Sequence, residues 1–218
     1  MNKDVLRLVA IAVVLLGCLG VAIAFYQSGE NEQRREQARR VFENQSLLVR
    51  SHSPSQGPAN APVTLVEFLD PECESCRAMY PYVKQIQAEY GDRLRLVIRY
   101  MPYHKNSVYA VGALDAAAAQ GRYWEFLEAL FYNQPKWGNH HDPRPELIPQ
   151  IAQQMGFDMQ AFQKHLDAGA FRELVELDRQ DGETVGVQGT PTFFVNGRKL
   201  ETLGYEPLKA LIEAELGS

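Results

Sequence analysis

The sequence predicts an α/β domain whose sheet is interrupted by a block of helices, with one apolar helix ahead of the domain. Two strand-like runs flank a helical pattern, about 80 residues of further helical pattern follow, and a strand with a hairpin turn signal comes next. With 218 residues, 45% of them hydrophobic and 22% charged, the chain suits one globular domain and a modest appendage. The net charge of -5 gives no overall positive field for phosphates, so we expect no nucleic-acid partner.

The amino-terminal segment predicts a membrane anchor. Residues 8–29 carry no charged side chain, and residues 8–26 are almost continuously apolar, which is long enough to cross a bilayer. Lys3 and Arg7 precede this run, so the positive-inside rule leaves the amino terminus in the cytoplasm. We therefore expect a single-pass protein of the inner membrane with its folded domain on the periplasmic, extracytoplasmic side. A second interpretation stays open, in which residues 1–29 hold a cleaved signal peptide and the protein is soluble in the periplasm.

A spacer is predicted between the anchor and the domain. Residues 30–50 mix charges of both signs with scattered apolar side chains, as in a surface helix or stalk. Residues 51–62 contain three prolines and Gly57, a composition typical of a loop at a domain boundary. We therefore assign residues 30–61 to a helical stalk and linker, and residues 62–218 to the domain.

The first half of the domain predicts a strand, a helix and a second strand. Residues 63–68 form a short apolar run between two prolines, which favours a buried strand. Apolar residues then recur at helical spacing up to the stop signal Gly91, and they predict a helix, kinked at Pro81, that begins at two cysteines. Residues 94–100 form a second apolar run. This order implies a right-handed crossover between parallel strands.

The second half predicts a helical insertion over about residues 105–184 and then a return to the sheet. Helical patterns cover residues 107–120, 122–132, 146–155, 158–166 and 171–185. Residues 191–195 regain strand character, Asn196-Gly197 is a strong hairpin turn signal, and residues 198–202 supply the returning strand. An amphipathic helix ends the chain.

Two cysteines one helical turn apart mark the strand-to-helix junction. Cys73 and Cys76 have the spacing of a reversible disulfide. Unpaired N–H groups at a helix start favour a thiolate, so we expect Cys73 to be an exposed nucleophile of lowered pKa and Cys76 to be a buried resolving thiol. Half a zinc site and an inert structural disulfide are the alternatives, but zinc needs two more ligands and only histidines remain outside the apolar segment. The pair therefore predicts redox chemistry without a metal or a dissociable cofactor.

Two motifs resemble a known family. Residues 66–76, the helical insertion and residues 186–197 are similar to the DsbA-like thiol-disulfide oxidoreductases of the thioredoxin superfamily, and the resemblance covers roughly residues 62–216. It implies a thioredoxin-like fold and disulfide exchange with cysteines of exported proteins, with a membrane partner resembling DsbB for reoxidation. It also implies that Pro191 is a cis-proline facing the disulfide, and that the Thr190 backbone pairs with a bound peptide.

Three further residues are expected to adjust the chemistry. Glu67 lies on an apolar strand, so we expect it to be buried with a raised pKa, in the position where the family places an acid that exchanges a proton with the resolving thiol. The alternative is an edge strand with Glu67 in solvent. Glu74 and Ser75 stand where the best-known DsbA has a Pro-His pair. Because that imidazole is absent here and Glu72 and Glu74 oppose a thiolate, our hypothesis is a less acidic Cys73 and a less oxidising disulfide than in the strongest oxidases.

Two other functions remain open from the sequence. A metal carrier would hold copper or zinc with Cys73, Cys76 and one histidine. A non-catalytic module of the same fold would bind peptides without exchanging disulfides. The direction of electron flow is also open, because two intervening residues do not decide the potential.

Overall fold

Within residues 46–217, which the computed structural model describes, five strands form one mixed sheet. The spatial order is β1-β3-β2-β4-β5. Strands β2 and β3 are parallel, whereas β1, β4 and β5 each run antiparallel to their neighbour. The strands are β1 (Ser55–Gln56), β2 (Val63–Leu69), β3 (Leu94–Tyr100), β4 (Thr192–Val195) and β5 (Arg198–Lys199).

Helices connect these strands where the sequence predicts them. Helix α1 joins the parallel strands β2 and β3, helices α2 to α6 form the insertion between β3 and β4, and α7 ends the domain. The predicted α/β architecture with its helical insertion is therefore confirmed. The helices are α1 (Glu74–Tyr90), α2 (Ser107–Ala118), α3 (Tyr123–Trp137), α4 (Leu147–Gln154), α5 (Met159–Ala168), α6 (Phe171–Thr184) and α7 (Tyr205–Leu216).

The parallel strands position the functional end of the sheet. They pair residue for residue, from Val63 opposite Leu94 to Leu69 opposite Tyr100. Both runs are almost continuously apolar because packed elements cover both faces of the central strands. Since parallel strands end at the same edge, the chain leaves β2 and β3 side by side, and Met101 N donates to Leu69 O at 2.9 Å.

Local signals explain where the elements stop. Helix α1 runs without interruption across Pro81 and ends at Gly91, whose φ of 51° suits glycine. The β4–β5 turn has positive φ at both Asn196 and Gly197, as a type I′ hairpin requires. Strand β5 is only two residues long, shorter than the predicted residues 198–202.

The two faces of the sheet support separate apolar clusters. Val63, Leu65 and Leu69 of β2 point into the larger cluster, together with the buried face of α1 and the inserted helices. Val66 and Phe68 alternate with them and point into a smaller cluster. The remaining buried members of the smaller cluster are Leu48, Val97, Met101, Val187 and Phe194.

A buried ion cluster lies on the same side as the smaller cluster. Arg99 of β3 is fully buried, and its guanidinium donates to Asp178 Oδ1 at 2.8 Å and to Asp181 Oδ2 at 2.6 Å, both on α6. It also donates to the carbonyl oxygen of Leu47. Arg50 adds two hydrogen bonds to Asp181, at 2.8 and 2.7 Å. The guanidinium is therefore satisfied on several sides.

This cluster attaches the region before β2 to the folded domain. Leu48 is buried, and His52 Nε2 lies 2.7 Å from Asp178 Oδ1. Strand β1 pairs with β3 inside the stretch that the sequence assigns to a linker. Residues 47–56 therefore pack on the sheet and on α6, ahead of the domain start at residue 62 that the composition indicates.

The predicted anchor over residues 8–26 and most of the predicted stalk lie outside the described residues. In the described range, 46–217, no helix is both long and apolar enough to cross a membrane.

Candidate active site

The two cysteines lie at the carboxyl end of β2, where the chain turns into α1. Cys73 is the N-cap residue, with extended backbone, and Cys76 lies in the first turn of the helix. Cys73 N donates to Asp70 O at 3.1 Å, which closes the turn between strand and helix. Cys76 is fully buried, whereas Cys73 is 8% exposed, and both are free thiols. Cys73 is therefore buried, and not exposed as the sequence predicts, although it is less completely enclosed than Cys76.

The surroundings of Cys73 favour its thiolate. A hydrogen bond from the Cys76 thiol is the largest cause, and the Thr190 side chain and the N–H groups of Ser75 and Cys76 add to it. Together they lower the pKa of Cys73 to about 5, although partial burial opposes them. Cys73 therefore has the ionisation state of a nucleophile and a leaving group at neutral pH.

Cys76 and Glu67 have the opposite tendency. Burial raises the pKa of Cys76 well above its usual range, and the hydrogen bond to Cys73 and the charge of Glu67 raise it further. Glu67 is 1% exposed, and its Oε1 has no hydrogen-bond partner. Burial, followed by the charge of Cys73, raises the pKa of Glu67 to about 8. A protonated acid thus lies within electrostatic reach of both sulfurs.

The sheet decides between the two interpretations of Glu67. β2 is a central strand, and Glu67 pairs with Ile98 of β3 on one side and with Phe193 of β4 on the other. The edge-strand alternative is therefore wrong. Glu67 shares the α1-facing side of β2 with Leu65 and Leu69, whose side chains belong to the larger cluster.

A loop before β4 completes the site. The Thr190–Pro191 peptide bond is cis, as the family resemblance implies. The carbonyl oxygen of Thr190 lies 3.3 Å from Cys73 Sγ. Thr192 Oγ1 donates to Gly189 O at 2.7 Å, and Thr192 pairs with Phe68 of β2. The pairing of β4 with β2 therefore brings this loop to the sulfur.

The loop after β3 is attached to the catalytic turn, a contact that the sequence did not reveal. Asp70 is fully buried, and its carboxylate accepts from Tyr103 N at 2.8 Å and from Ser107 Oγ at 2.5 Å. The Glu72 carboxylate accepts from the backbone N–H and the side-chain amide of Asn106, at 2.7 and 2.8 Å. These bonds fix residues 70–73 against the start of α2.

The helical insertion also contacts the turn. Gln134 of α3 is buried, and its Nε2 donates to Pro71 O at 2.9 Å and to Cys73 O at 3.0 Å. Nothing in the pattern of α3 distinguishes this glutamine, which lies about 60 positions beyond the cysteines in the sequence. The insertion therefore helps to hold the backbone of the catalytic turn.

Glu74 and Ser75 are exposed at the surface beside the pair. Two clefts adjoin the first turns of α1 and share Arg77. One is polar, with a volume of about 390 Å³, and Glu74 and His140 are among its lining residues. The other is apolar, with a volume of about 620 Å³, and includes Tyr132, which is 83% exposed. Open surface is therefore available next to the cysteines.

No metal centre is evident in the described range. There, no group of three or more His, Cys, Asp and Glu side chains is placed to hold an ion.

The fold and the site together define a DsbA-like thiol-disulfide oxidoreductase of the thioredoxin superfamily. A family model described as "Thioredoxin" matches residues 50–214, so the chain belongs to the thioredoxin family, as the resemblance of its two motifs implied.

The chain is also similar to several solved structures and to part of a longer protein known from its sequence. BdbD from Bacillus subtilis, in its oxidised form, is 28% identical with a TM-score of 0.66, over 76% of this chain and 94% of that one. Alpha-DsbA1 from Wolbachia pipientis shares the fold, with a TM-score of 0.70 at 20% identity, over 80% of this chain and 96% of that one. A protein named Na(+)/H(+) antiporter NhaA, from Herminiimonas arsenicoxydans, is 39% identical over 145 residues. That match covers 66% of this chain but only 22% of the relative's length.

Proposed function

We propose that the protein exchanges disulfides with cysteines of exported proteins on the extracytoplasmic side of the membrane, through a redox pair formed by Cys73 and Cys76. The observation that carries this proposal is the asymmetry of the two thiols. The pKa of Cys73 is lowered to about 5 at a helix start, whereas Cys76 is buried behind it with a raised pKa. A thiolate that is both a nucleophile and a good leaving group is what disulfide exchange requires.

Disulfide donation follows from this asymmetry in two steps. A client thiolate attacks Cys73 Sγ, the bond between Cys73 and Cys76 breaks, and Cys76 leaves with the electron pair and takes a proton from Glu67. The second client thiol then loses its proton and attacks the client sulfur of the mixed disulfide, so that Cys73 leaves as a thiolate. The client is oxidised by two electrons, the pair is reduced by two electrons, and the proton of the second client thiol passes through water to Glu67, which regains its protonated form.

The reverse reaction uses the same groups. The Cys73 thiolate attacks a client disulfide and releases one client thiolate. Glu67 then loses its proton to water and accepts the proton of Cys76, and the Cys76 thiolate attacks Cys73 Sγ, which frees the second client sulfur as a thiolate. The low pKa of Cys73 stabilises the reduced pair and therefore favours donation over reduction. The effect of Glu74 and Ser75 on the potential remains a hypothesis that a redox titration tests.

The client is proposed to lie beside the loop before β4. There the Thr190 backbone would pair with an extended peptide as an added strand, with Pro191 next to the reacting sulfur. The 3.3 Å separation between Thr190 O and Cys73 Sγ supports this placement, because a peptide paired with Thr190 would hold its own sulfur close to Cys73.

The proposed location depends on the amino-terminal segment. An apolar run over residues 8–26 behind Lys3 and Arg7 supports a single-pass anchor with the domain outside the cytoplasm. In that arrangement, a membrane partner resembling DsbB would reoxidise the pair. A cleaved signal peptide would place the same chemistry in a soluble periplasmic protein.

Covalent trapping tests the proposal. In cells, the Cys76→Ser variant is expected to accumulate mixed disulfides between Cys73 and exported clients, which a reducing agent releases, because the resolving thiol is absent. Cys73→Ser is the matched control and should trap none. Replacing Cys18 by Ser in both variants removes the third thiol of the chain.

Three outcomes would contradict the proposal. Equal trapping by both variants would show that Cys73 is not the reacting thiol. Client binding that persists in Cys73→Ser without any exchange by the unaltered protein would indicate a peptide-binding module. Tight, stoichiometric copper or zinc in protein purified under reducing conditions would indicate a metal carrier.

A further inference from the structure

An ion pair lies at the edge of the catalytic turn. His104, in the loop after β3, places its Nδ1 2.7 Å from Asp70 Oδ2. The imidazole is 29% exposed, whereas the carboxylate is fully buried. The ring also makes an edge contact with His140, at 5.1 Å between centroids. His104 is thus held in one place with part of its ring open to solvent.

Asp70 connects this ring to the nucleophile. Its carbonyl oxygen accepts the N–H of Cys73 at 3.1 Å, and its carboxylate accepts the N–H of His104 at 3.2 Å in addition to the contact with the ring. One buried residue therefore fixes both the backbone of Cys73 and the imidazole. Because Asp70 is also bonded to Ser107 Oγ and Tyr103 N, it has little freedom to move.

The charged groups around His104 favour its protonated form. The groups that face it are Asp70 at the end of β2, Glu72 and Cys73 in the catalytic turn, and His140 in the loop after α3. Burial lowers the pKa of His104, but the hydrogen bond and charge of Asp70, followed by the charges of Cys73 and Glu72, raise it overall. An interaction between two titrating groups is mutual, so a cation at His104 favours the Cys73 thiolate to the same extent.

We propose that His104, positioned by Asp70, is the cation that stabilises the Cys73 thiolate in this protein. The residues between the cysteines, Glu74 and Ser75, supply no positive charge, so this charge comes from the loop after β3. The inference rests on the proposed function only in taking Cys73 as the reacting sulfur. It also implies that His104 holds its proton less tightly in the disulfide form, where Cys73 carries no charge.

The test compares two histidines that make the same contact. His165 of α5 places its Nε2 2.7 Å from Asp115 Oδ2 of α2 and is 35% exposed, so His165→Gln is a matched control for His104→Gln. In both variants glutamine can still hydrogen bond to the carboxylate, which preserves the fold. A pH titration of the ultraviolet thiolate absorbance of the reduced protein reports the pKa of Cys73.

We expect His104→Gln to raise the pKa of Cys73 by about one unit, the lower end of the range for a nearby opposite charge. His165→Gln should leave it unchanged. A tenfold loss of thiolate stabilisation corresponds to a midpoint potential about 30 mV more negative, measured against a glutathione buffer. His104→Lys should restore the low pKa, because it retains a positive charge, which a merely structural role would not explain.

Three results would overturn the inference: an unchanged Cys73 pKa in His104→Gln, an equal shift in His165→Gln, or no recovery in His104→Lys. A pH titration of His104, followed by NMR, should give a lower pKa in the disulfide form than in the reduced form. Equal pKa values in the two forms would also overturn the inference. All of these measurements use the protein alone. A failure to trap clients would therefore count against the proposed function, but it would not affect the result of this test.

Discussion

Glu67 and Arg99 are both buried ionisable side chains on neighbouring strands, yet their surroundings are opposite. Glu67 pairs with Ile98 across the sheet, so Arg99 is one position further on and points to the other face. Arg99 meets two aspartates and a backbone carbonyl, whereas one carboxylate oxygen of Glu67 has no partner. The two residues show how differently the two faces of one sheet surround a buried ionisable side chain.

The difference separates stability from chemistry. A buried guanidinium with several acceptors is locked in one charge state, and removing it would leave the buried Asp178 without a guanidinium and Asp181 with Arg50 alone. A buried carboxyl without a counter-charge titrates close to neutral pH, where it can give or accept a proton. The α6 side of the sheet therefore keeps the fold together, and the α1 side keeps a group that is ready to change its charge.

Arg99→Met should have the largest effect on stability. Asp178 and Asp181 would lose their shared buried cation, so we expect the free energy of unfolding to fall by about 3–5 kcal/mol. Urea denaturation at neutral pH measures this loss. Arg144→Met is the control, because Arg144 and Glu146 form an ion pair in which both side chains are more than half exposed. That variant should change stability by about 1 kcal/mol or less. Similar losses in the two variants would remove the contrast between the faces.

Glu67→Gln should change the pH dependence of stability in the reduced protein. The pKa of Glu67 is raised from 4.5 to about 8, first by burial and then by the charge of Cys73. The native state therefore keeps its proton where the unfolded chain has lost it. This contribution to stability is complete below about pH 4.5 and is lost as the pH rises towards 8, at about 1.4 kcal/mol per pH unit.

Glutamine cannot ionise, so the stability of Glu67→Gln should exceed that of the unaltered protein by a margin that grows across this pH window. Urea denaturation below and inside the window measures the margin. Glu125→Gln, on the exposed side of α3, is the control and should show no growing margin. A constant difference between Glu67→Gln and the unaltered protein would mean that the carboxyl is not protonated in the native state.

His52→Gln should have the smallest effect. His52 Nε2 contacts Asp178 Oδ1 at 2.7 Å, but Asp178 retains the guanidinium of Arg99 and the N–H of Tyr100. We expect a loss of about 1 kcal/mol or less in the free energy of unfolding, since one hydrogen bond is exchanged for another. If His52→Gln lowered the free energy of unfolding as much as Arg99→Met, His52 would contribute as much to the stability of the ion cluster as Arg99 does.

Local patterns explain why the order of elements could be predicted. The apolar run of residues 63–68, the Asn196-Gly197 turn and the helical spacing before Gly91 each depend only on neighbouring residues. The pair Cys73 and Cys76 is visible for the same reason, because it directly follows a strand. Glu67 could be predicted as buried since its strand is otherwise apolar.

Contacts between distant parts of the chain could not be predicted in this way. Arg99 meets Asp178 and Asp181 from 79 and 82 positions away, and no periodicity reports such a pairing. The arginines of β3, Arg95 and Arg99, were the available signal, because a charge that is buried in a strand requires a partner. Gln134 and His104 reach the catalytic turn from the insertion and from a loop, without any local signature.

The region before β2 packs on the sheet for a reason that its composition does not show. Its proline and glycine content is typical of linkers, but Gly57 is required by packing. It has a φ of 97°, and a Cβ on it would lie 2.3 Å from the carbonyl oxygen of Leu94. The glycine therefore allows a close approach to the sheet, where composition alone suggests flexibility.

The antiparallel pairing of β1 with β3 has a practical consequence for anyone who trims this protein. Cutting the chain at residue 62 would delete β1 and expose the backbone of Leu96 and Val97, which would become a bare strand edge. An uncovered edge of this kind is a template for intermolecular pairing, so the shortened protein should self-associate in solution. The smallest fragment that keeps β1 on the sheet edge and the contacts of Leu47 and Arg50 with the ion cluster begins ahead of Leu47.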